Sequence, residues 1–250
     1  MKADPTAQRR LLELAALDAE LARAQHRRRT LPEQSAVEEA ETTVQGHRDA
    51  VVRARTSVSD LGREVAKLEQ EVTQVRTREE RDRGLMDSGS VSAKQMTDLS
   101  HELDTLARRR GVLEDQQLEV MERLDAAETD LAHEQGELAT AETALADAVE
   151  RRDGVLGDLD VLEERRGGER TALAGELPGD LVALYDQLRA RTGTGAGELV
   201  GNRCGACRLE MDRSELRDVA AAAPDDVVRC EQCGAIVVRT AKSAGKGANA

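Results

Sequence analysis

Apolar residues recur along most of this chain at alternating steps of three and four. Val37, Val44, Val51, Val58, Val65 and Val72 share one position of a seven-residue repeat, and Ala40, His47, Ala54, Leu61, Leu68 and Val75 share its partner position. Heptads held in one register predict a coiled-coil helix. A second series starts at Met96 and continues through Leu103, Arg110, Gln117, Leu124, Leu131, Leu138, Leu145 and Arg152 to Leu159. Its partners run Leu99, Leu106, Leu113, Val120, Ala127, Glu134, Ala141, Ala148, Val155 and Leu162. A 3.5-residue repeat of this length imposes a left-handed supercoil. Between the series, the apolar pattern fails at Glu79 and Asp82, and glycine and serine cluster from Gly84 to Ser92. Ser92 and Gln95 have the spacing of a capping box, so the second long helix is expected to start there.

These signals predict an antiparallel coiled-coil hairpin over residues 5–175, with its tip at about 84–91. A shorter first helix carries the stripe Leu14, Leu17, Leu21, Ala24 and Leu31. That stripe is out of step with Val37, and Pro32 lies at the mismatch, so a break is expected near 30–33. Residues 5–84 and 92–171 form arms of equal length, roughly 120 Å each at ~1.5 Å per residue. The N-terminus and the C-terminal segment would then share the base. Gly167-Gly168 and Pro178-Gly179 mark the expected end of the long helix, and residues 178–191 read as a short base helix with Leu181, Leu184, Tyr185 and Leu188 on one face. Thr192 to Gly197 reads as a flexible joint.

From residue 199 to 240 the pattern changes to short extended pieces, with a short helix expected over Ser214–Ala223. All the cysteines of the chain lie here, as Cys204-Gly-Ala-Cys207 and Cys230-Glu-Gln-Cys233. Each C-x-x-C turn aims two sulfurs at one point, and two such turns at this separation suit one tetrahedral Zn²⁺. Four thiolates leave no position open to water or substrate, which makes the expected zinc structural. A segment of some 40 residues buries too little apolar surface to fold alone, and a metal supplies the deficit. A redox dithiol is the competing reading, but one pair suffices for that chemistry and no βαβ pattern surrounds either pair. The fold class is therefore mainly α: a long antiparallel coiled-coil hairpin with a small C-terminal zinc ribbon. Residues 241–250 read as a mildly basic, disordered tail.

Composition sharpens this picture. The chain has no Phe or Trp, and Tyr185 is its single aromatic. Its interior must be built from Leu, Val and Ala, which suits thin helix-on-helix packing. Net charge is −13: the first 199 residues carry −14 and the remainder +1. An acidic helical part repels nucleic acid and anionic lipid. No apolar run approaches the ~18 residues of a membrane span, and the first residues lack the apolar core of a signal peptide. A cytoplasmic protein with no membrane partner and no small-molecule substrate is expected. Reduced thiols in that compartment favour metal over disulfide.

Polar residues at core positions (Arg110, Gln117, Glu134 and Arg152) read as register-setting. Arginine clusters such as Arg108-Arg109-Arg110 read as ion-paired helix faces, because acids flank them. Leu118 and Met121 lie off the main stripe and suggest a second apolar face. His47 reads as a packed or solvated histidine rather than a metal ligand, since no second histidine stands at a matching helical spacing.

With these pieces in order, the chain resembles a bacterial family of coiled-coil proteins with a C-terminal C4-type zinc ribbon. The residues that carry the resemblance are the turn Asp87 to Gln95, the stretch Leu113-Glu-Asp-Gln-Gln-Leu-Glu-Val-Met-Glu122, the base helix from Leu184-Tyr185 to Arg189, and the two cysteine pairs. The resemblance implies the hairpin fold and the zinc ligands Cys204, Cys207, Cys230 and Cys233. It also implies a regulatory or chaperone-like role: members in flagellated bacteria associate with an alternative sigma factor, secretion components or flagellin transcripts. The leading expectation is a non-enzymatic adaptor with protein partners. The alternative is RNA binding through the ribbon, using Arg203, Arg208, Arg213, Arg217, Arg229, Arg239, Lys242 and Lys246 on phosphates. Against that alternative, the ribbon has no aromatic for base stacking and carries seven acids from residue 200 on. No nucleophile elbow, phosphate loop or open metal site marks an enzyme.

Overall fold

The computed structural model describes residues 1–240, so the tail expected over 241–250 lies outside the described residues. The chain divides into two compact units, one spanning Glu33–Arg151 and the other joining Met1–Pro32 to the segment from Arg152 onward.

The first unit is a helical hairpin built from α2 (Pro32–Asp87) and the N-terminal part of α3 (Ala93–Gly175). Both heptad series face inward. Val37, Val44, Val51, Leu61 and Val72 of α2 are buried, as are Leu113, Val120, Ala141 and Ala148 of α3, and the remaining core positions are half-buried. Met96 is the exception at 38 % exposed, so the covered stripe of α3 begins at Leu99. Ion pairs fix the direction of pairing. Arg48 meets Glu142 at 2.9 Å, Arg76 meets Glu114 at 2.7 Å and Arg110 meets Glu79 at 2.6 Å. The partner's number falls as the first rises, which is antiparallel order. The exposed pairs Arg48–Glu142 and Arg76–Glu114 contribute only ~0–1 kcal/mol each, so their weight lies in register. His47 pairs with Glu134 at 3.4 Å, one core-position polar residue against another.

The tip departs from expectation. α2 runs to Asp87, beyond the expected start of the turn at 84, and the turn contains Gly89 at φ 65°. The capping box forms: the Ser92 N–H donates to Gln95 Oε1 at 2.8 Å, and the Gln95 N–H reaches Ser92 Oγ at 3.4 Å. The apolar pattern stops at Glu79 and Asp82, but the helix does not, and both acids occupy core positions at 1 % exposure. Glu79 has Arg110 as a partner. One oxygen of Asp82 accepts from its neighbour Arg81, while Oδ2 is buried without a donor. Arg81 itself is 66 % exposed and stays solvated without Asp82. Replacing a buried charge by a well-packed apolar residue is often stabilising. Asp82→Leu is therefore expected to stabilise the protein by about 1–3 kcal/mol, read as a higher urea midpoint. An unchanged or lower midpoint contradicts this account.

In the second unit, α1 (Pro5–Arg29) lies antiparallel to the C-terminal part of α3. Asp4 caps α1 by accepting the Thr6 N–H at 2.7 Å, and Pro5 takes the first turn, where its missing donor costs nothing. Arg10 reaches Glu176 and Arg166 reaches Glu20, each at 2.6 Å. The helix ends at Arg29, and Pro32 opens α2. The buried residues of α1 are Gln8, Leu11, Leu14, Asp18 and Ala24, with Leu17 and Leu21 only half-buried. Gly167 and Gly168 do not end α3. They lie inside it, and the helix continues to Gly175. Each glycine costs about 1 kcal/mol of propensity, which is offset by burial of Leu173 and Leu177 and by the pairs from Arg166 and Arg170 to α1.

α4 (Gly179–Thr192) follows and buries Leu181, Tyr185 and Leu188. A four-stranded sheet completes the unit, comprising β1 (Ala196–Val200), β2 (Arg203–Cys204), β3 (Val228–Arg229) and β4 (Ile236–Val238) in the order β2-β1-β4-β3. The central pair β1–β4 is parallel and the two outer pairs are antiparallel. α5 (Arg213–Ala221) lies between β2 and β3 in the chain. One core contains Leu11, Leu14, Leu173, Leu177, Leu181, Tyr185, Leu188, Ala196, Ile236 and Val238, so the sheet is packed on the helices of its own unit.

The segment expected as a flexible joint is partly strand. Ala196 and Gly197 pair with Ile236 and Val237. A Cβ on Gly195 would lie 2.5 Å from the Tyr185 ring, and one on Gly197 would lie 2.3 Å from the Ala206 nitrogen. Close approach, not looseness, is what requires glycine at these two positions.

Candidate metal centre

Two turns of the same design carry the cysteines. The Cys204 N–H donates to the Leu209 carbonyl at 3.1 Å, and the Arg208 N–H donates back to the Cys204 carbonyl at 2.7 Å. In the second turn the Cys230 N–H donates to Ala235 at 2.9 Å and the Gly234 N–H to Cys230 at 2.8 Å. The residue after the second cysteine of each pair is left-handed: Gly234 at φ 76°, and Arg208 at φ 65°. Gly234 was legible as a turn residue. Arg208 was not, although its place matches that of Gly234, because nothing in an arginine announces a positive φ. The Arg229 side chain donates to the Gly234 carbonyl at 3.0 Å, and the Gly205 N–H donates to Glu198 of β1 at 2.8 Å, so each turn is also tied to the sheet.

The parallel pairing of β1 with β4 brings the turns together. The four sulfurs of Cys204, Cys207, Cys230 and Cys233 all lie within 4.8 Å of one another. Cys204 and Cys233 have their sulfurs 3.9 Å apart. That is too long for a disulfide, whose sulfurs lie about 2.05 Å apart. It matches the edge of a tetrahedron with Zn–S of about 2.3 Å, which is about 3.8 Å. Cys204 and Cys230 are buried and the other two are half-buried. Burial pushes the Cys204 thiol up, and takes that of Cys233 to about 12. Cys207 goes the other way: burial opposes its thiolate, but the Leu209 N–H and the neighbouring thiols donate to it and hold its pKa down. A cation at the centre of four such sulfurs would favour the thiolate at all of them. The donor set fits Zn²⁺ and leaves no open coordination position.

Of the basic residues considered for phosphate contact, several are engaged within the ribbon. Arg239 donates to the carbonyls of Val219, Ala222, Ala223, Pro224 and Asp226, and so closes the C-terminal end of α5. Arg203 pairs with Glu210 at 2.8 Å. Lys242 and Lys246 lie outside the described residues.

Sequence reasoning missed two features here. Met1 to Ala3 pair with the loop before β3: the Ala3 N–H donates to Asp225 at 2.8 Å, the Val227 N–H donates to Met1 at 3.1 Å, and Lys2 meets Asp225 at 2.9 Å. Three residues carry no periodicity to reveal this. The second feature is a buried charge cluster beneath α4. Asp18, 4 % exposed, takes Arg170 at 3.1 Å and Arg189 at 3.2 Å, and accepts the Tyr185 hydroxyl at 2.8 Å. Burial first, and this bond second, raise the Tyr185 pKa well above its ordinary value. An open cleft of about 660 Å³ borders the cluster, and the charges lining it, Asp18, Arg170, Asp186 and Arg189, are paired with one another.

The fold and the centre define a class: a coiled-coil hairpin protein with a four-cysteine zinc ribbon. Residues 14–193 match the CT398-like coiled coil hairpin domain and residues 203–237 the C4-type zinc ribbon domain, and the chain belongs to this family. An uncharacterised protein of Mycobacterium tuberculosis is 43 % identical over 239 residues, which are 96 % of this chain and 98 % of that protein. One from Mycobacterium leprae is 36 % identical over 223 residues, covering 89 % of this chain and 96 % of the other. A solved structure from Mycobacterium smegmatis, 44 % identical, superposes with a TM-score of 0.85 over 96 % of this chain and all of the other. CT398 from Chlamydia trachomatis shares the fold at 16 % identity, with a TM-score of 0.65 and coverage of 94 % and 98 %. Neither matched domain is an enzyme family. Among the described residues, no helix is long and apolar enough to cross a membrane.

Proposed function

We propose that this protein is a non-enzymatic adaptor that engages protein partners through its coiled-coil hairpin, with one structural Zn²⁺ holding the ribbon. The observation that carries the reading is the outer face of α3. Leu118 and Met121, one helical turn apart, are 59 % and 45 % exposed; Val52 at 62 % and Val112 at 50 % are exposed too, but neither has an exposed apolar neighbour one turn away. Solvated apolar pairs on a charged helix suit a partner helix or strand better than they suit water. The complete four-sulfur donor set supports the non-catalytic half of the reading, since no ligand position is left for a substrate. The mutual pairing of charges along the cleft beside Asp18 argues against a small-molecule substrate. Four free cysteines suit the reducing cytoplasm, where the reading locates the protein. RNA binding through the ribbon is the weaker alternative, because Arg203, Arg229 and Arg239 already have internal partners.

The test is in-cell crosslinking with a photoreactive residue at position 118 or 121, and at exposed ribbon positions for comparison, with RNA recovered in parallel. A reproducible protein adduct at 118 or 121 is expected. Adducts confined to RNA, or none at any hairpin position, would reject the proposal.

A further inference from the structure

A second donor set stands beside the second cysteine turn and contains no sulfur. Asp212 caps α5, Glu215 lies in its first turn, and Glu231 lies between Cys230 and Cys233. One carboxylate oxygen from each lies within 4.8 Å of the other two. Two oxygens each about 2.4 Å from one calcium ion are at most about 4.8 Å apart, so the three carboxylates are close enough to share one ion.

Convergence of acids alone would not make a site. The deciding observation is Glu215. It is 4 % exposed, and its Oε2 is buried without a hydrogen-bond donor. Its other oxygen accepts the Glu231 N–H at 2.8 Å, which holds the carboxylate toward the cysteine turn. A buried carboxylate oxygen with no donor is strongly unfavourable, and here two further carboxylates converge on the same group. Asp212 cannot move away, because one of its oxygens accepts the N–H groups of Ser214 and Glu215, at 2.7 and 2.8 Å, as the cap of α5. That bonding, led by the Ser214 hydroxyl, also holds the Asp212 carboxyl below its usual range and keeps it charged. A cation among the three would balance their like charges and offer the orphaned Glu215 oxygen a partner.

We propose that Asp212, Glu215 and Glu231 form a binding site for a hard divalent cation of the calcium, magnesium or manganese class, separate from the four-sulfur centre. An all-oxygen donor set selects such ions, whereas zinc is drawn to the thiolates alongside. Asp212 and Glu231 are exposed, which leaves room for water to complete the coordination. The ion would join α5 to the Cys230–Cys233 turn and reinforce the bond that Glu215 already makes to that turn.

The experiment uses the zinc-loaded, full-length protein and Mn²⁺ as the probe, counted by electron paramagnetic resonance. One Mn²⁺ per chain is expected in addition to the zinc, displaced by Ca²⁺ or Mg²⁺. Glu231→Gln and Asp212→Asn should each weaken Mn²⁺ at least tenfold with zinc content unchanged. Asparagine still caps a helix, and Glu231 is exposed, so neither change should disturb the fold. Glu215→Gln keeps an acceptor for the Glu231 N–H and should weaken Mn²⁺ at least as much. Three outcomes overturn the proposal: no saturable Mn²⁺ at millimolar concentration, equal affinity in the variants, or Mn²⁺ bound only as zinc leaves.

Discussion

Removal of zinc from the full-length protein is expected to unfold the four-stranded sheet and to change the surroundings of Tyr185. Cys204 and Cys230 are part of an apolar cluster with Leu199, Met211, Val219 and Val237, so the metal centre and that half of the ribbon core are one object. On the opposite face of β4, Ile236 and Val238 are packed in the same core as Tyr185, Leu11 and Leu14. Structural zinc contributes on the order of 10 kcal/mol or more to the folding of small cysteine-ligated domains. A ribbon of this size has no apolar reserve to replace it. Tyr185 is the single aromatic of the chain, so its fluorescence and near-ultraviolet dichroism report on one place without interference. Chelation, or Cys230→Ser, should shift both signals and make the 196–239 segment sensitive to protease. A fully chelated protein whose Tyr185 signals and protease resistance are unaltered would refute the role given to the metal. A protein that purifies without zinc and with four freely titrating thiols would refute the metal itself.

Asp18→Ala should be the most damaging single substitution away from the cysteines. The carboxylate is buried, and it balances Arg170 and Arg189 while accepting the Tyr185 hydroxyl. Its removal leaves two guanidinium groups without their shared anion and a buried hydroxyl without an acceptor. Breaking a buried ion pair from one side costs about 3–5 kcal/mol. Tyr185→Phe, which removes one donor and leaves both arginine pairs, should cost about 1–2 kcal/mol by comparison. Urea denaturation followed by far-ultraviolet dichroism measures both. A cost below about 1 kcal/mol for Asp18→Ala would mean that Arg170 and Arg189 find other partners, Asp186 first among them.

The contrast between Asp18 and Asp82 shows where sequence reading stops. Both are acids on heptad helices, and both are buried. Asp18 is surrounded by two arginines and a hydroxyl, whereas Asp82 has only its exposed neighbour Arg81. One is predicted to be indispensable and the other dispensable, and nothing adjacent to either residue in the chain distinguishes them. Of the apparent stripe of the first helix, Leu14, Ala24 and Leu31 are buried and Leu17 and Leu21 only half-buried, while Asp18, which is outside that stripe, is also turned inward. An apolar pattern ranks an aspartate as solvent-facing, because its partners lie some 150 to 170 positions away. Arg239 repeats the lesson: counted by charge it reads as a phosphate contact, but in the fold it is spent on backbone carbonyls.

The sequence by itself determined the hairpin, the heptad phase of each of its long helices, the capped start of α3 and the cysteines that converge. Each of these depends on spacing along the chain: a 3.5-residue period selects helix pairing, and a C-x-x-C turn brings two sulfurs together whatever lies around it. The tertiary structure alone decided which polar residues are buried with partners, that Gly167 and Gly168 stay helical, that β1 begins at Ala196, and that Met1 to Ala3 pair with the ribbon. These outcomes depend on contacts between distant segments, where burial and ion pairing outweigh local propensity by several kcal/mol, and no local pattern records them.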